Sequence, residues 1–449
     1  MGSFAMSKVL HRNIAEPPPL AVRAEGCRIF DRSGKSYIDA SGGAAVSCLG
    51  HGHPRVLEAL QEAMSNLQYV HTGSFTHESQ EELAEILVSS APENISHAFF
   101  VSSGSEAVES ALKLTRQYFL EIGQPERRHF IARRQSYHGN TLGALAVSGN
   151  AMRRNSYQPL LMSASHISPC YAYREKFKDE SIEAYGLRVA NELETEILDL
   201  GPETVAGFIA EPIVGATLGA VEPVPGYFRR IRDICDKYGV LLIADEIMCG
   251  GGRTGDMFVM DSEKVVADII TIAKGLGGGY QPIGAMLLSN QIATAIRNGT
   301  GSFMHGHTYL GHPLACSAAL AVQKVIKDEN LLTAVAVNGA RLMDGLKQGL
   351  GQHPNVGDIR GRGLLIGLEF VKNRETKAPF EPSWKLNQRV KQEAKERGVM
   401  VYPMPGTIDG ILGDHIVLAP PFNTSASDID AIVSAVTDSI PSAIAGIPN

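Results

Sequence analysis

The chain has little of what several protein classes require. Its six cysteines, Cys27, Cys48, Cys170, Cys235, Cys249 and Cys316, never fall at C-x-x-C spacing. A structural zinc site or a thioredoxin-like redox pair needs that spacing, so no metal centre is expected. Scattered thiols suit a cytoplasmic protein, and Cys249 reads as a packed bystander. Positive charge is also short. The net charge is −7, without the basic stripe that phosphate-backbone recognition uses, which argues against a nucleic-acid partner. No apolar run approaches the roughly 20 residues of a membrane span. Residues 1–10 hold no signal-peptide segment, and residues 1–5 read as a cloning remnant ahead of a start at Met6. The most pointed absence is local: no arginine or lysine occurs between Gly398 and Asn449.

What is present is long enough for more than one domain, because a single core stops growing well below 449 residues. The triplet Pro17-Pro18-Pro19 lacks amide donors and predicts an extended arm. Residues 28–31 and 36–39 predict a hairpin across Ser33-Gly34-Lys35, and 54–67 has helical apolar spacing. The middle of the chain alternates strand candidates (97–101, 129–132, 205–210, 240–244, 269–272, 283–288) with helix candidates (105–120, 226–238, 314–326). Such alternation predicts an α/β fold, a mostly parallel sheet covered on both faces. From about Glu329 the pattern changes to a long helix, a strand at 364–370, a helix ending near Arg397 and a closing helix after Ser427, a smaller α+β domain. The expected division is 1–50, arm and part of the small domain; 51–310, large domain; and 311–449, small domain.

Open α/β sheets bind ligands beyond the carboxyl ends of their strands. Beyond 97–101 stand Ser103, Gly104 and Ser105 at a helix start, where free amides favour an anion, although serines there also serve as plain N-caps. Beyond 129–132 come Tyr137, His138 and Gly139; an aromatic beside glycine can stack on a flat ring or simply fill a core. Val240-Leu241-Leu242-Ile243-Ala244 runs into Asp245. A carboxylate there is costly unless a cation pairs with it or it caps a helix. Ile269-Ile270-Thr271-Ile272-Ala273 runs into Lys274 and then glycines. Burial depresses a lysine pKa and makes the amine nucleophilic, whereas most lysines snorkel to the surface.

Taken in this order, the strand ends resemble class III aminotransferases of the pyridoxal 5′-phosphate (PLP) fold type I superfamily. The strongest match runs from Leu242-Ile243-Ala244-Asp245-Glu246-Ile247 through Gly252-Arg253-Thr254-Gly255 to Ala273-Lys274-Gly275-Leu276-Gly277-Gly278-Gly279. Gly50-His51-Gly52-His53-Pro54, Tyr137-His138-Gly139, Glu211-Pro212, His307-Thr308-Tyr309 and Arg362-Gly363 support it. The resemblance implies a seven-stranded, mostly parallel sheet and a shared site in a homodimer or dimer of dimers. It implies that Lys274 bonds the cofactor and shuttles the proton, and that Asp245 holds the pyridine nitrogen. Tyr137 and Ile247 would cover the two ring faces, with His138 alongside. Ser103, Gly104 and Ser105 would hold the phosphate, with Thr308 reaching the phosphate in the neighbouring subunit. Segment 42–46 would likewise cross the two-fold interface. Glu211 would stand near the cofactor's 3-oxygen side, with Ala45, Tyr137, Glu211 and Ala216 around the substrate.

The implied reaction moves an amino group from an amine or ω-amino acid to a keto acid such as pyruvate or 2-oxoglutarate. The donor preference is read from the missing arginine: Val417 stands where ornithine-type relatives have one, and Ala45 where amine-type relatives place a bulky aromatic. Arg23 or Arg253 substituting from elsewhere is the alternative. A racemase, aminomutase or decarboxylase on the same fold would use the same lysine. A nicotinamide dehydrogenase would need the G-x-G-x-x-G that is absent here, and a non-enzymatic binding protein has no use for a buried reactive amine.

Overall fold

The computed structural model describes residues 7–15 and 17–447; the expected cloning remnant lies outside them. Seven strands form the large sheet, in the spatial order Ile95–Val101, Gly284–Ser289, Ile269–Ile272, Leu241–Asp245, Val205–Ala210, His129–Arg133, Ser165–Ile167. Six run the same way. Gly284–Ser289 is antiparallel to both its neighbours. The apolar runs are buried on two faces, as their lack of alternation requires. Leu242, Ala244, Ile270 and Ile272 enter one core, while Leu241, Ile243 and Ile269 enter the core on the other side. The expected helices are found at Gly104–Glu121, Tyr227–Tyr238 and Pro313–Asp328. A 19-residue helix, Ile182–Leu200, lay outside the expected set, as did the three-residue edge strand Ser165–Ile167.

The rest of the chain builds two smaller sheets. Val356–Arg362, Leu365–Phe370, Asp414–Leu418 and Tyr402–Pro405 form an antiparallel sheet. Helices Leu331–Leu350, Leu386–Glu396 and Ala426–Ala445 accompany it, and their apolar faces share one core. The hairpin Arg28–Asp31 and Ser36–Asp39 gains a strand on each side, Ala21–Glu25 and the C-terminal Val399–Met400. Residues 21–40 thereby join the C-terminal part in one region, through Ile38 and Ala40 in the same core as Val399 and Val436. Residues 17–20 are exposed and carry no regular structure, as three prolines dictate. Among the described residues no helix is long and apolar enough to cross a membrane.

The topology creates one chemically loaded edge. Six parallel strands end there, and the antiparallel strand begins there, so the residues after the six and before the seventh meet.

Candidate active site

A cavity of about 390 Å³ opens at that edge. Its wall includes Ser103, Gly104, Ser105, Tyr137, His138, Glu211, Ala216, Asp245, Ile247 and Lys274, ten of the expected site residues. Thr308 and Ala45 are not on it. Thr308 is exposed on a loop whose carbonyl accepts from the Tyr69 hydroxyl. Ala45 is 2% exposed and packs behind the wall with Ala216, Met248 and Val417. Val46, at the end of segment 42–46, lines the cavity of its own chain. Ala45 adopts a left-handed φ of 61°, turning the chain so that the adjacent Val46 faces in.

Helix Gly104–Glu121 aims its N-terminus at the cavity. Ser103 caps it, its hydroxyl accepting from the Glu106 amide at 3.2 Å, while Glu106 accepts from the Ser102 amide at 2.8 Å, a reciprocal capping arrangement. The amides of Gly104 and Ser105 have no intrahelical acceptor and remain free for an anion. The Ser105 hydroxyl is engaged: it donates to Asn140 Oδ1 at 2.8 Å and accepts from the Asn140 amide at 3.0 Å. Two glycines keep this cup open. A Cβ on Gly104 would stand 3.0 Å from the Ile247 side chain, and one on Gly139 would stand 2.6 Å from Ser105 Oγ.

Opposite lies a buried acid cluster. Asp245, 2% exposed, ends its strand. Its Oδ2 accepts from His138 Nδ1 at 2.7 Å, and its Oδ1 accepts from the Ile247 amide at 3.1 Å. The bond orients His138, whose Nε2 is buried with no partner. Glu211 is held by the amides of Tyr137 (2.9 Å) and Gly215 (3.1 Å), and burial pushes its carboxyl above the usual range. Glu246, next to Asp245, points away. It accepts from the amides of Val259 and Met260 at 2.8 and 2.9 Å, and burial raises it to about 7. Alternation along the chain thus sends one carboxylate to the cavity and its neighbour to a helix start.

Lys274 enters from the next strand with a left-handed φ of 47°. Burial lowers its pKa, against the raising pull of Asp245 and Glu211. The result is an amine more readily deprotonated than a surface lysine, close to two carboxylates. Cys249 is packed and buried beside this cluster.

These residues fit PLP. The free amides suit a phosphate, the paired Asp245 suits a protonated ring nitrogen, Lys274 suits an aldehyde carbon, and Tyr137 and Ile247 offer flat and apolar faces. The wall also includes Met248, Gln281, Pro282 and Ile283, which the sequence did not mark as site residues. Gln281 and Pro282 precede the antiparallel strand, and no feature of their own marks them; only that strand's direction brings them in.

The wall at Ala216 is braced from the C-terminal sheet. His415 Nε2 bonds the Ala216 carbonyl at 2.9 Å, with Thr407 Oγ1 at 2.6 Å from its Nδ1. Arg360 donates to the carbonyls of Leu218 and Gly219. Within one chain neither Arg23 nor Arg253 is on the cavity wall. Arg253 is buried and spends its donors on the carbonyls of Leu364, Pro420 and Ser47. Arg23 is exposed, paired with Glu25 at 3.1 Å and stacked on Phe30.

The family model for aminotransferase class-III matches residues 10–440. An uncharacterized aminotransferase of Schizosaccharomyces pombe is 46% identical over 432 residues, covering 96% of this chain and 94% of that protein. A probable mitochondrial gamma-aminobutyrate transaminase of Oryza sativa is 36% identical over 428 residues, covering 94% and 82%. Among solved structures, an (S)-enantioselective omega-transaminase from Thermomicrobium roseum superposes with a TM-score of 0.91 at 35% identity, covering 97% of this chain and 96% of that one. The omega-transaminase of Pseudomonas jessenii in complex with PMP gives 0.90 at 34% identity, covering 95% and 93%.

Proposed function

Because this chain belongs to the class III aminotransferases, PLP-dependent enzymes of fold type I, we propose that it moves an amino group from an amine or ω-amino acid to a keto acid such as pyruvate. The observation that carries the donor reading is that, among the described residues, the cavity wall holds no arginine and no lysine besides Lys274, with Ala45, Ala216, Met248 and Val417 forming an apolar cluster in and behind it. The name of the rice relative supports an ω-amino acid among the donors.

PLP, when bound, supplies an electrophilic carbon for the amine and a ring that accepts the electron pair left when the substrate carbon loses its proton. The protein's residues do the rest. The amides of Gly104 and Ser105 hold the phosphate at the helix N-terminus. Asp245, oriented by His138, would hold a proton at the ring nitrogen. Lys274 Nζ, its charge disfavoured by burial, would take the proton from the substrate carbon and return it to the cofactor's aldehyde carbon, general base and then general acid. Tyr137 and Ile247 keep the ring between them and exclude water. Glu211, held by two amides, stays beside Tyr137 as an acceptor toward the ring's oxygen side. A racemase, aminomutase or decarboxylase would use the same groups without consuming a keto acid.

The same reading makes the enzyme at least a homodimer, with Thr308 serving a neighbouring phosphate. Support comes from exposed apolar side chains on and near that loop, Met304, Tyr309 and Phe75. It divides the chain at 1–50, 51–310 and 311–449, with separate apolar cores as support. Six free cysteines favour the cytosol.

The test adds single donors to the PLP-loaded enzyme and follows loss of its visible absorbance band. Amines or ω-amino acids should react fastest, and a keto acid should restore the band. Glutamate or ornithine outpacing every amine and ω-amino acid tried would sink the donor assignment.

A further inference from the structure

The remote carboxylate of an ω-amino acid needs a cation, and one lies against the cavity wall, one residue behind Tyr137. Arg153 sits on the short helix Ala151–Arg154, which Asn150 caps by accepting from the Arg153 amide. Its guanidinium carbon stands 4.5 Å from the centroid of the Tyr137 ring, and Tyr137 is on the wall. Its Nε is buried with no hydrogen-bond partner. Among the described residues no carboxylate forms an ion pair with it, whereas Arg174, Arg188, Arg230, Arg232, Arg360 and Arg362 each have one. The Tyr137 phenol also feels a second cation, Arg12, and stands near the Tyr402 phenol.

A guanidinium stacked on an aromatic face keeps its edge free, and that edge is the planar fork that binds a carboxylate bidentately. Partial burial without an anionic partner is costly, and a bound carboxylate removes the cost. Position then decides which carboxylate. Arg153 touches the ring of Tyr137 but is not itself on the wall of the cavity that Lys274 enters. A carboxylate held by Arg153 therefore lies beyond that wall from the reacting amine, and several carbons must join the two. An α-amino acid, with one carbon between the two groups, cannot span this; an ω-amino acid can.

We propose that Arg153 is the carboxylate-binding residue for the remote end of an ω-amino acid, selecting such donors over α-amino acids. The proposal rests on the transaminase reading and adds the residue that reads substrate length. Arg153→Met keeps a stem against Tyr137 and removes the fork; Arg153→Lys keeps the charge without the planar geometry.

For the PLP-loaded wild type and both variants, the first half-reaction is measured against concentration with γ-aminobutyrate and with butylamine, which has the same length and no carboxylate. Binding of unreactive butyrate is measured by calorimetry. The wild-type preference for γ-aminobutyrate over butylamine should fall roughly 10- to 100-fold in Arg153→Met, the scale of a lost charge-assisted hydrogen bond. It should fall less in Arg153→Lys, and butyrate affinity should fall in step. An unchanged preference, with both donors slowed alike, would make Arg153 a mere support for Tyr137 and overturn the proposal. So would butyrate binding that ignores the substitution. A wild type that aminates no keto acid from either donor instead overturns the transaminase reading, and butyrate binding still reports on Arg153.

Discussion

Around Asp245 the cavity is made of charges that answer one another; around Ala216 it is made of apolar side chains, braced from behind by His415 and Arg360. Asp245 and His138 are bonded at 2.7 Å, and Lys274 comes in beside Asp245 and Glu211. Ala45, Val417 and Met248 pack together, and His415 behind them is kept neutral by burial. The difference shows how one cavity can hold a fixed cofactor tightly and still accept varied substrates. Charged groups with defined partners orient a single ligand, because each unmet bond is costly. An apolar wall excludes little except an unpaired charge.

The largest expected effect comes from removing the amine at the charged end. Lys274→Ala should lower multiple-turnover activity by at least ~10²–10⁴-fold, the scale of a lost general base, while the protein still takes up PLP. Near-normal turnover would show that the buried lysine is structural. Next is Asp245→Asn, which keeps the shape and removes the charge. Single-turnover rates should fall roughly 10- to 100-fold, the scale of a charged hydrogen bond, with an unchanged circular dichroism spectrum. Unchanged rates would reduce Asp245 to an anchor for His138 and the Ile247 amide.

The apolar end predicts an acid sensitivity. His415 has its pKa lowered by burial from 6.5 to about 4. Below 6.5 the unfolded chain takes up a proton that the folded one refuses, so stability present above that pH is lost as pH falls toward about 4. The contribution is on the order of 3 kcal/mol. His166, also lowered to about 4, acts in the same direction. Thermal unfolding of His415→Gln against pH should show a shallower acid decline than wild type; parallel curves would mean that His415 protonates freely. The smallest effect tests the wall itself. Val417 is 0% exposed among carbon neighbours, so Val417→Thr buries a hydroxyl and should cost about 1–2 kcal/mol in denaturant unfolding. A neutral result would reveal a polar partner in that wall.

Much of the charged end was legible in the sequence because strand-end chemistry is local. A run of buried apolar residues that stops at Asp245 or Lys274 places that residue at the sheet edge, whichever strand lies beside it. The substrate end was less legible. Ala45 and Val417 are more than 370 residues apart, and nothing in either neighbourhood predicts that they pack together. Ser165–Ile167 is too short to show periodicity. Val356–Arg362 carries Asp358, Arg360 and Arg362 among its seven residues, so its strand character is masked by groups that answer Glu369, Glu222 and backbone carbonyls elsewhere.

The sequence by itself determined the layered α/β architecture and the chemistry available at the strand ends, because apolar runs, glycines and lone charges act within a few residues of where they stand. The tertiary structure alone decided which of those groups meet. It reversed the Gly284–Ser289 strand and so brought Gln281 to the wall, turned Glu246 away from the cavity while leaving Asp245 in it, and spent Arg253 on backbone carbonyls. It also laid Arg153 on Tyr137, with no ion pair to a carboxylate among the described residues. Contacts of this kind depend on the direction and packing of segments far apart in the chain, and no local pattern of residues encodes them.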